Sequence, residues 1–333
     1  MERKAVNNIL LSICIATYNR ARYISETLDS IVPQLDDDVE LLVVDGASTD
    51  NTGDVVRRYT DPRIRYVRLP AKGGVDQDYC KAVELARGEF CWLFTDDDLL
   101  KPGAIVAVKN AISAGYCLVI VNAEVRDRTL RDLLAKQRIV MHSDKIYAPN
   151  DTERLFVDSM ACLSFIGSVV IRRSTWLSRD KEPYFDTEFV HIGVIFQKPL
   201  TEPVIIMAEP FISIRYGNAH WMPRNFDIWM FKWPKLVWSF DHISQEAKLM
   251  ICKREPWRNL INLTFQRSVG AYNADTYRRH FSAAHAGFLW KFCAWLIAVF
   301  PRTIIISLHF LYSRIRKPEV RAFFDADHAT SEN

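Results

Sequence analysis

Between residues 10 and 100, short apolar runs alternate with helical stretches, and no other feature of the chain restricts its fold as much. LLSICIA (10–16), VELLVVD (39–45), IRYVRL (64–69) and EFCWLF (89–94) read as strands. Arg20 to Val32 reads as a helix with Ile24, Leu28 and Ile31 on one face, and the polar turn GASTDNT precedes a short helix ending near Tyr59. GGVDQDYCKAVELARG holds a helix with Val75, Tyr79, Ala82, Val83 and Ala86 near one face, and Gly88 is placed to cap its end. Apolar strands separated by helices predict an α/β fold whose mostly parallel sheet is covered on both faces. Ligands of such sheets gather at the carboxyl ends of the strands.

The chemistry-bearing residues stand at those ends. The first strand runs into Thr17-Tyr18-Asn19, the second ends on Asp45, and the third leads to Lys72-Gly73-Gly74. The fourth meets Thr95-Asp96-Asp97-Asp98. Adjacent carboxylates repel unless a cation or a donor network compensates them. A hard divalent ion such as Mg2+ or Mn2+ takes oxygen ligands and bridges a carboxylate to a diphosphate. The plainer role is a helix cap, with Asp98 or a neighbour serving the helix that begins near Pro102. Asp45 suits a nucleobase or ribose as an acceptor, or else closes an Asx-turn in GASTD. Gly73 and Gly74 let backbone approach a phosphate or sugar. Neither GxGxxG nor GxxxxGK[ST] occurs, so dinucleotide and P-loop chemistry lose their usual support.

Composition removes other classes. With 49% hydrophobic and 25% charged residues in 333, the chain has material for a real core and is not a disordered one. Its formal charge of +3 hides an asymmetry: seven basic and no acidic residues lie between Thr276 and Pro318, leaving thirty-six basic against forty acidic elsewhere. A mildly acidic body with a basic, apolar C-terminal piece is not a nucleic-acid binder, whose charge follows a hydrophilic face. Seven Cys without a CxxC pair point to reduced, buried thiols. The apolar stretch near the N-terminus reads as the first strand and is short for a signal peptide.

Beyond residue 100, KPGAIVAVKNAISAG reads as a helix, CLVIVNAEV as a strand, and 126–150 as a polar, mobile excursion. ERLFVDSMACLSFIGSVVIRR offers a helix and a strand, PYFDTEFVHIGVIF a helix, and PVIIMAEPFISIRYG two short strands. No Gly/Ser/Pro linker interrupts this half, so it extends the same domain.

SICIATYNRARYISETLDSI, ELLVVDGASTDNTGDVV, the Lys72–Gly74 turn and CWLFTDDDLLKPGAI resemble the N-terminal half of family 2 glycosyltransferases. The resemblance covers roughly residues 9 to 120 and implies the GT-A fold, with a nucleotide-diphospho-sugar as donor. It assigns nucleotide contacts to Thr17, Tyr18 and Asp45, with Lys72, Gly74 and Asp76 around the donor and Asp96 near the ribose. It makes Asp97 the metal ligand, with Asp98 beside it and Mg2+ or Mn2+ as the ion; where many relatives carry an acidic residue, this chain has Thr95. IGSVVIRRSTW, the Phe185–His191 segment and YGNAHWMPRNFDIWMFKWPKLVWSF are similar to a bacterial subgroup that builds O-antigen on a lipid-linked oligosaccharide. The acceptor so implied is a polyprenyl-diphosphate oligosaccharide. Capsule, exopolysaccharide or glycolipid synthesis, and binding without turnover, are the alternatives. The family's usual Glu-Asp base pair is absent, and FDTEFVH supplies Glu188, then Asp186 and His191; the plainer role is a solvated or capping residue for each, or a packed one for His191. Glu188 and His191, three apart, share a face if the segment is helical.

Four Trp between 221 and 238 either stack on sugar or pack as a helix stripe, and His220, Trp221 and Arg224 are acceptor-side candidates. GFLWKFCAWLIAVFPRTIIISLHFLYSRIRK (287–317) is broken by Lys291, Pro301 and Arg302, too short on either side for a clean span. Two interfacial helices fit it, with Trp290 and Trp295 near headgroups and Arg314, Arg316 and Lys317 facing anionic lipid. A kinked span and a hairpin packed on the domain are the other readings. The expected divisions are a catalytic domain over 1–218 (1–120 nucleotide-sugar half, 121–218 acceptor half), an aromatic helical extension over 219–285, a membrane-associating segment over 286–318 and a tail over 319–333. The location that follows is the cytoplasmic face of the inner membrane.

Overall fold

The computed structural model describes residues 9–218, 224–282 and 287–306. Its first strand, Leu11–Thr17 (β1), is buried at all but one position. Ile24–Ile31 (α1) follows, then Val39–Asp45 (β2), buried at every position as a strand covered on both faces must be. Thr52–Val56 (α2) leads to Ile64–Arg68 (β3), and Val75–Leu85 (α3) to Phe90–Phe94 (β4). β1 pairs in parallel with β2 on one side and β4 on the other, and β2 in parallel with β3. Register sets the strand ends in a row: Thr17 lies opposite Asp45, and Asp45 opposite Arg68.

The sheet continues through Leu99–Leu100 (β5), the helix Ala104–Ser113 (α4), Leu118–Arg126 (β6), Leu133–Ala135 (β7) and Lys145–Tyr147 (β8). Thr152–Leu163 (α5), Val169–Arg172 (β9), Arg173–Leu177 (α6), Val190–Phe196 (α7) and Val204–Arg215 (β10) complete it. The ten strands run β3-β2-β1-β4-β9-β6-β10-β5, with β7 on β6 and β8 on β10. β9 is antiparallel to both β4 and β6, while β10 is parallel to β6. Ile13, Ile15, Leu41, Val43, Trp92 and Phe94 meet Leu28 and Ile31 of α1 and Ile105 and Val108 of α4 in one core.

Three expectations change. Gly88 does not cap α3, which ends at Leu85 with Ala86 as its cap. Residues 126–150 contribute β7 and β8 to the sheet. PVIIMAEPFISIRYG forms one strand, not two, with register shifts on either side of Pro210, whose missing N–H cannot continue the ladder.

The chain divides into two units: residues 1–215 with 240–247, and residues 216–239 with 248–333. The second unit is helical. Asn225–Asp227 (α8) widens through Ile228–Lys232 into Trp233–Trp238 (α9). After Gln245–Ile251 (α10) come Leu260–Ser268 (α11), Ala274–His280 (α12) and Phe288–Val299 (α13). Its core joins Phe226, Met230, Leu263, Tyr272, Phe281, Ala294 and Ala298. The tryptophans serve that packing: the Trp229 and Trp233 rings lie 5.4 Å apart, and Trp238 donates its indole N–H to Cys252 O at 3.2 Å. Trp290, expected near headgroups, packs edge-on to Trp257 and donates to Arg258 O at 2.9 Å. α13 turns Ala294 and Ala298 inward and leaves Phe288, Leu289, Phe292, Trp295, Leu296 and Val299 exposed. Among the described residues no helix is long and apolar enough to cross a membrane. His220, Trp221, Arg314, Arg316 and Lys317 lie outside the described residues.

Candidate active site

The loops after β1 and β2 are laced together before any ligand is considered. Thr17 O accepts the Gly46 N–H at 2.9 Å. Asn19, left-handed at φ 55°, donates its N–H to Ser48 Oγ and takes the Thr49 N–H on Oδ1 at 2.7 Å. Asp45 is fully buried at the end of β2. Ser48 N–H reaches one carboxylate oxygen at 2.7 Å and the Tyr66 hydroxyl the other at 2.5 Å, with Arg68 Nη1 at 3.7 Å. The Asp45 carboxylate thus accepts from an amide three residues on, one beyond the reach of an Asx-turn, and Tyr66 and Arg68 of β3 add donors to it. Burial, and then the bond to Asp45, raises the Tyr66 hydroxyl above its ordinary pKa.

Lys72 holds its ammonium 3.8 Å from the centroid of the Tyr18 ring, a cation–π contact linking the first and third strand ends. Gly74 has φ 107° and ψ 166°, a region open to glycine almost alone, and starts α3. Asp78, in the first turn of α3, takes the Gly73 N–H at 3.1 Å. A Cβ at Gly46 would stand 2.7 Å from Asp78 Oδ2, so this carboxylate wedges between the second and third strand ends. Burial raises its pKa, and the charge of Asp45 adds to that. Sequence reasoning missed Asp78; the signal was an acid at the start of a helix following Gly-Gly.

Asp96, Asp97 and Asp98 are all buried, and the structure separates their duties. Arg20 spans the first two, with Nε 3.2 Å from Asp96 Oδ1 and Nη2 3.2 Å from Asp97 Oδ2. Asp98 is engaged at both oxygens, by the Arg215 N–H at 2.7 Å and by the Thr95 hydroxyl. It caps no helix, since α4 starts after Gly103 without a side-chain cap. Arg215 Nε also donates to Asp97 O at 2.9 Å, so the end of β10 braces the whole acidic turn. Burial, then the neighbouring Asp97 charge, pushes Asp96 up to about 7 and Asp98 well above the usual carboxylate range. Two guanidinium groups, of Arg20 and Arg215, thus meet the turn that carries the three carboxylates. Among the described residues no group of three His, Cys, Asp or Glu is arranged to hold a metal ion. Mg2+ held by one or two carboxylates and a substrate diphosphate needs no such group.

The expected base segment is not a helix at Glu188. α7 begins at Val190, and Asp186 and Glu188 are both left-handed, at φ 63° and 72°. Such backbone costs about 1–3 kcal/mol per residue and persists where the surroundings over-determine it. Glu188 and His191 therefore do not share a helix face. His191 is buried, with Nε2 2.7 Å from Leu163 O, and burial lowers its pKa to about 4. That placement packs it in the core and leaves Asp186, exposed, and Glu188, half-buried, as the carboxylates of the segment. Asp76, expected beside the donor, takes the Glu188 and Val190 N–H groups, each at 2.9 Å.

The comparisons agree with this geometry. Residues 12–177 match the model of glycosyl transferase family 2. The chain is 26% identical over 226 residues to abequosyltransferase RfbV of Salmonella typhimurium, covering 63% of this chain and 68% of that one. It is 25% identical to the putative colanic acid biosynthesis glycosyl transferase WcaA of Escherichia coli, covering 79% and 95%. In fold it is similar to residues 1–349 of S. aureus TarS, solved with UDP, at a TM-score of 0.53 and 15% identity over 97% and 91% of the two chains. With a sheet of GT-A type and the family's motifs gathered at its carboxyl edge, this chain belongs to glycosyl transferase family 2.

Proposed function

We propose that this glycosyltransferase moves a sugar from a nucleotide-diphosphate donor to a lipid-linked oligosaccharide during O-antigen synthesis. The observation that carries the donor half is the register row: Thr17, Asp45 and Arg68 lie side by side at one sheet edge, with the Asp96–Asp98 turn on the next strand. Asp45 offers a buried acceptor for a base or ribose, and the turn through Gly74 offers backbone to a phosphate. The S. aureus relative in fold binds UDP, which supports a nucleotide-sugar donor here. The Salmonella relative supports an O-antigen acceptor, with a dideoxyhexose as one candidate sugar. Similarity to WcaA, over nearly all of that protein, favours an exopolysaccharide acceptor as the second reading.

In the transfer itself, an acceptor hydroxyl oxygen bonds to the anomeric carbon as the bond from that carbon to the diphosphate breaks. Glu188, or Asp186 beside it, takes the hydroxyl proton. Asp97 with Asp96 would hold Mg2+ or Mn2+ once Arg20 shares or yields their oxygens, and the ion would offset charge on the leaving diphosphate. Asp98 braces the turn through its bonds to Thr95 and Arg215. The exposed apolar side of α13 supports attachment to a membrane surface, where a lipid-linked acceptor resides.

Donor turnover decides the reading. UDP-, CDP-, GDP- and dTDP-sugars are offered with Mg2+ or Mn2+ and extracted lipid-linked oligosaccharide, and nucleoside diphosphate release is followed. One donor is expected to turn over, and Asp97→Ala to reduce that turnover at least about 100-fold. Full activity of Asp97→Ala overturns the metal assignment. Binding of nucleotide sugars without any turnover makes the chain a binding module.

A further inference from the structure

We propose that Asp76 is a positioning residue for the transfer step: its carboxylate clamps the backbone of residues 186–190 and so aims the carboxylate that takes the acceptor's proton. The inference rests on the reading that this segment carries the base.

Asp76 is the second residue of α3 and is 2% exposed. Its Oδ2 accepts the Glu188 N–H and its Oδ1 the Val190 N–H, both at 2.9 Å, from residues 112 and 114 positions further along the chain. Nothing on α7's own element caps that helix: Phe189, at the cap position, offers no side-chain bond. The Val190 N–H is among the amides a helix start leaves unsatisfied, and Asp76 supplies its acceptor from across the domain. Between the two captured amides the chain is bent by the left-handed Glu188, and Asp186 takes the same conformation two residues earlier. Thr187 braces the bend from inside, its hydroxyl donating to Tyr184 O at 2.6 Å and accepting the Phe189 N–H at 3.0 Å. A side chain in that conformation points where an extended or helical backbone would not send it.

The clamp also registers two sides of the site. Two residues after Asp76 on the same helical turn, Asp78 takes the Gly73 N–H of the donor-side turn. One turn of α3 thus holds the donor loop by one carboxylate and the proposed base segment by another. The carboxylate is required because both its oxygens accept. An amide of the same shape offers one acceptor and turns an N–H2 group toward the other backbone N–H.

Asp76→Asn, Glu188→Gln and the double variant test this, with turnover measured on the donor panel above and binding measured by titration with UDP, CDP, GDP and dTDP. Asp76→Asn is expected to lower kcat about 10- to 100-fold while the nucleotide Kd stays within about twofold. Added to Glu188→Gln, it is expected to cost little more, because the group it aims is already gone. Wild-type kcat in Asp76→Asn overturns the proposal. So do losses that multiply in the double variant, and a nucleotide Kd that weakens in step with turnover, which returns Asp76 to the donor. Wild-type turnover in Glu188→Gln overturns that residue as the base, a separate failure, and Asp186→Asn then takes its place in the cycle. Amide exchange of the wild-type chain stands independent of any variant's folding. The Glu188 and Val190 amides are expected to be protected at least about tenfold over an open loop, and unprotected amides overturn the clamp.

Discussion

A buried carboxylate persists where its oxygens are answered, and at this sheet edge the answers come from distant parts of the chain. Asp45 is answered by Tyr66 on the next strand, Asp98 by Arg215 on the last one, and Asp76 by amides more than a hundred residues on. Asp45 and Asp98 were legible in the sequence because they stand at the ends of apolar strands. Their partners were not, because no spacing rule connects residues 98 and 215. His191 stood open between a base and a packed imidazole, and burial with its contact to Leu163 O puts it among the packed residues. Its pKa of about 4 in the folded chain lies below the unfolded value of 6.5. From about pH 6.5 down to 4 the unfolded chain therefore binds a proton that the folded chain refuses, and stability falls as pH falls, by about 3 kcal/mol over the full span. His191→Gln, which keeps a donor for Leu163 O, is expected to lose part of that slope and to retain transfer at neutral pH. Urea midpoints of the two proteins between pH 7 and 4.5 check the first expectation, since their difference cancels acids such as Asp96 that titrate in both. Parallel midpoints would remove His191 as a cause of acid sensitivity.

At the scale of elements, periodicity placed β1, β2 and β4 to within a residue, because strands buried on both faces leave an unbroken apolar record. It was less sure where polar residues do structural work. β7 and β8 are only three residues each, and apart from the buried Tyr147 their side chains are half-buried or exposed, so no apolar period marked them and 126–150 read as a polar excursion. Gly88 is the instructive glycine. It resembles a helix cap in sequence, yet its N–H donates to Ser12 Oγ at 2.8 Å, and it exists to let two backbones meet at the entry to β4. A Cβ there would fall 2.6 Å from Ser12 N and 2.8 Å from Phe90 O, neither of which is a flexible side-chain end. Gly88→Ala is expected to cost about 1–3 kcal/mol, lowering Tm by roughly 2–12 °C in a unit of this size. A thermal melt reads it, and an unchanged Tm would show that β1 and β4 can separate there without loss.

For the whole molecule, the charge asymmetry and α13 bear on where the protein works. The basic residues of the C-terminal piece that lie within the described chain are largely engaged: Arg278 with Asp275, Lys291 with Ser282 O and Arg302 with Ser268 O. The apolar face of α13 is thus the stronger basis for the proposed membrane attachment. Phe288, Leu289, Phe292, Trp295, Leu296 and Val299 recur at helical spacing on the side opposite Ala294 and Ala298, and among the described residues the unit's core does not take them. Twelve residues rise only about 18 Å along a helix axis, too little for a span and enough for one lying in the interface. Phe292 is 49% and Trp295 44% exposed, so moving each into an acyl boundary removes about half a ring from water, worth about 1 kcal/mol apiece. The full chain is expected to float with vesicles of phosphatidylcholine and phosphatidylglycerol. Phe292→Glu with Trp295→Glu is expected to weaken that partitioning at least about tenfold, since it forfeits both rings and adds two charges to an anionic surface. Raising salt to about 0.5 M should weaken the wild type less than the double substitution does, because apolar insertion is not screened while exposed charge pairs are. Wild-type protein that stays wholly in the aqueous fraction overturns the attachment. Partitioning that salt abolishes and the double variant keeps moves the contact from α13 to the basic residues.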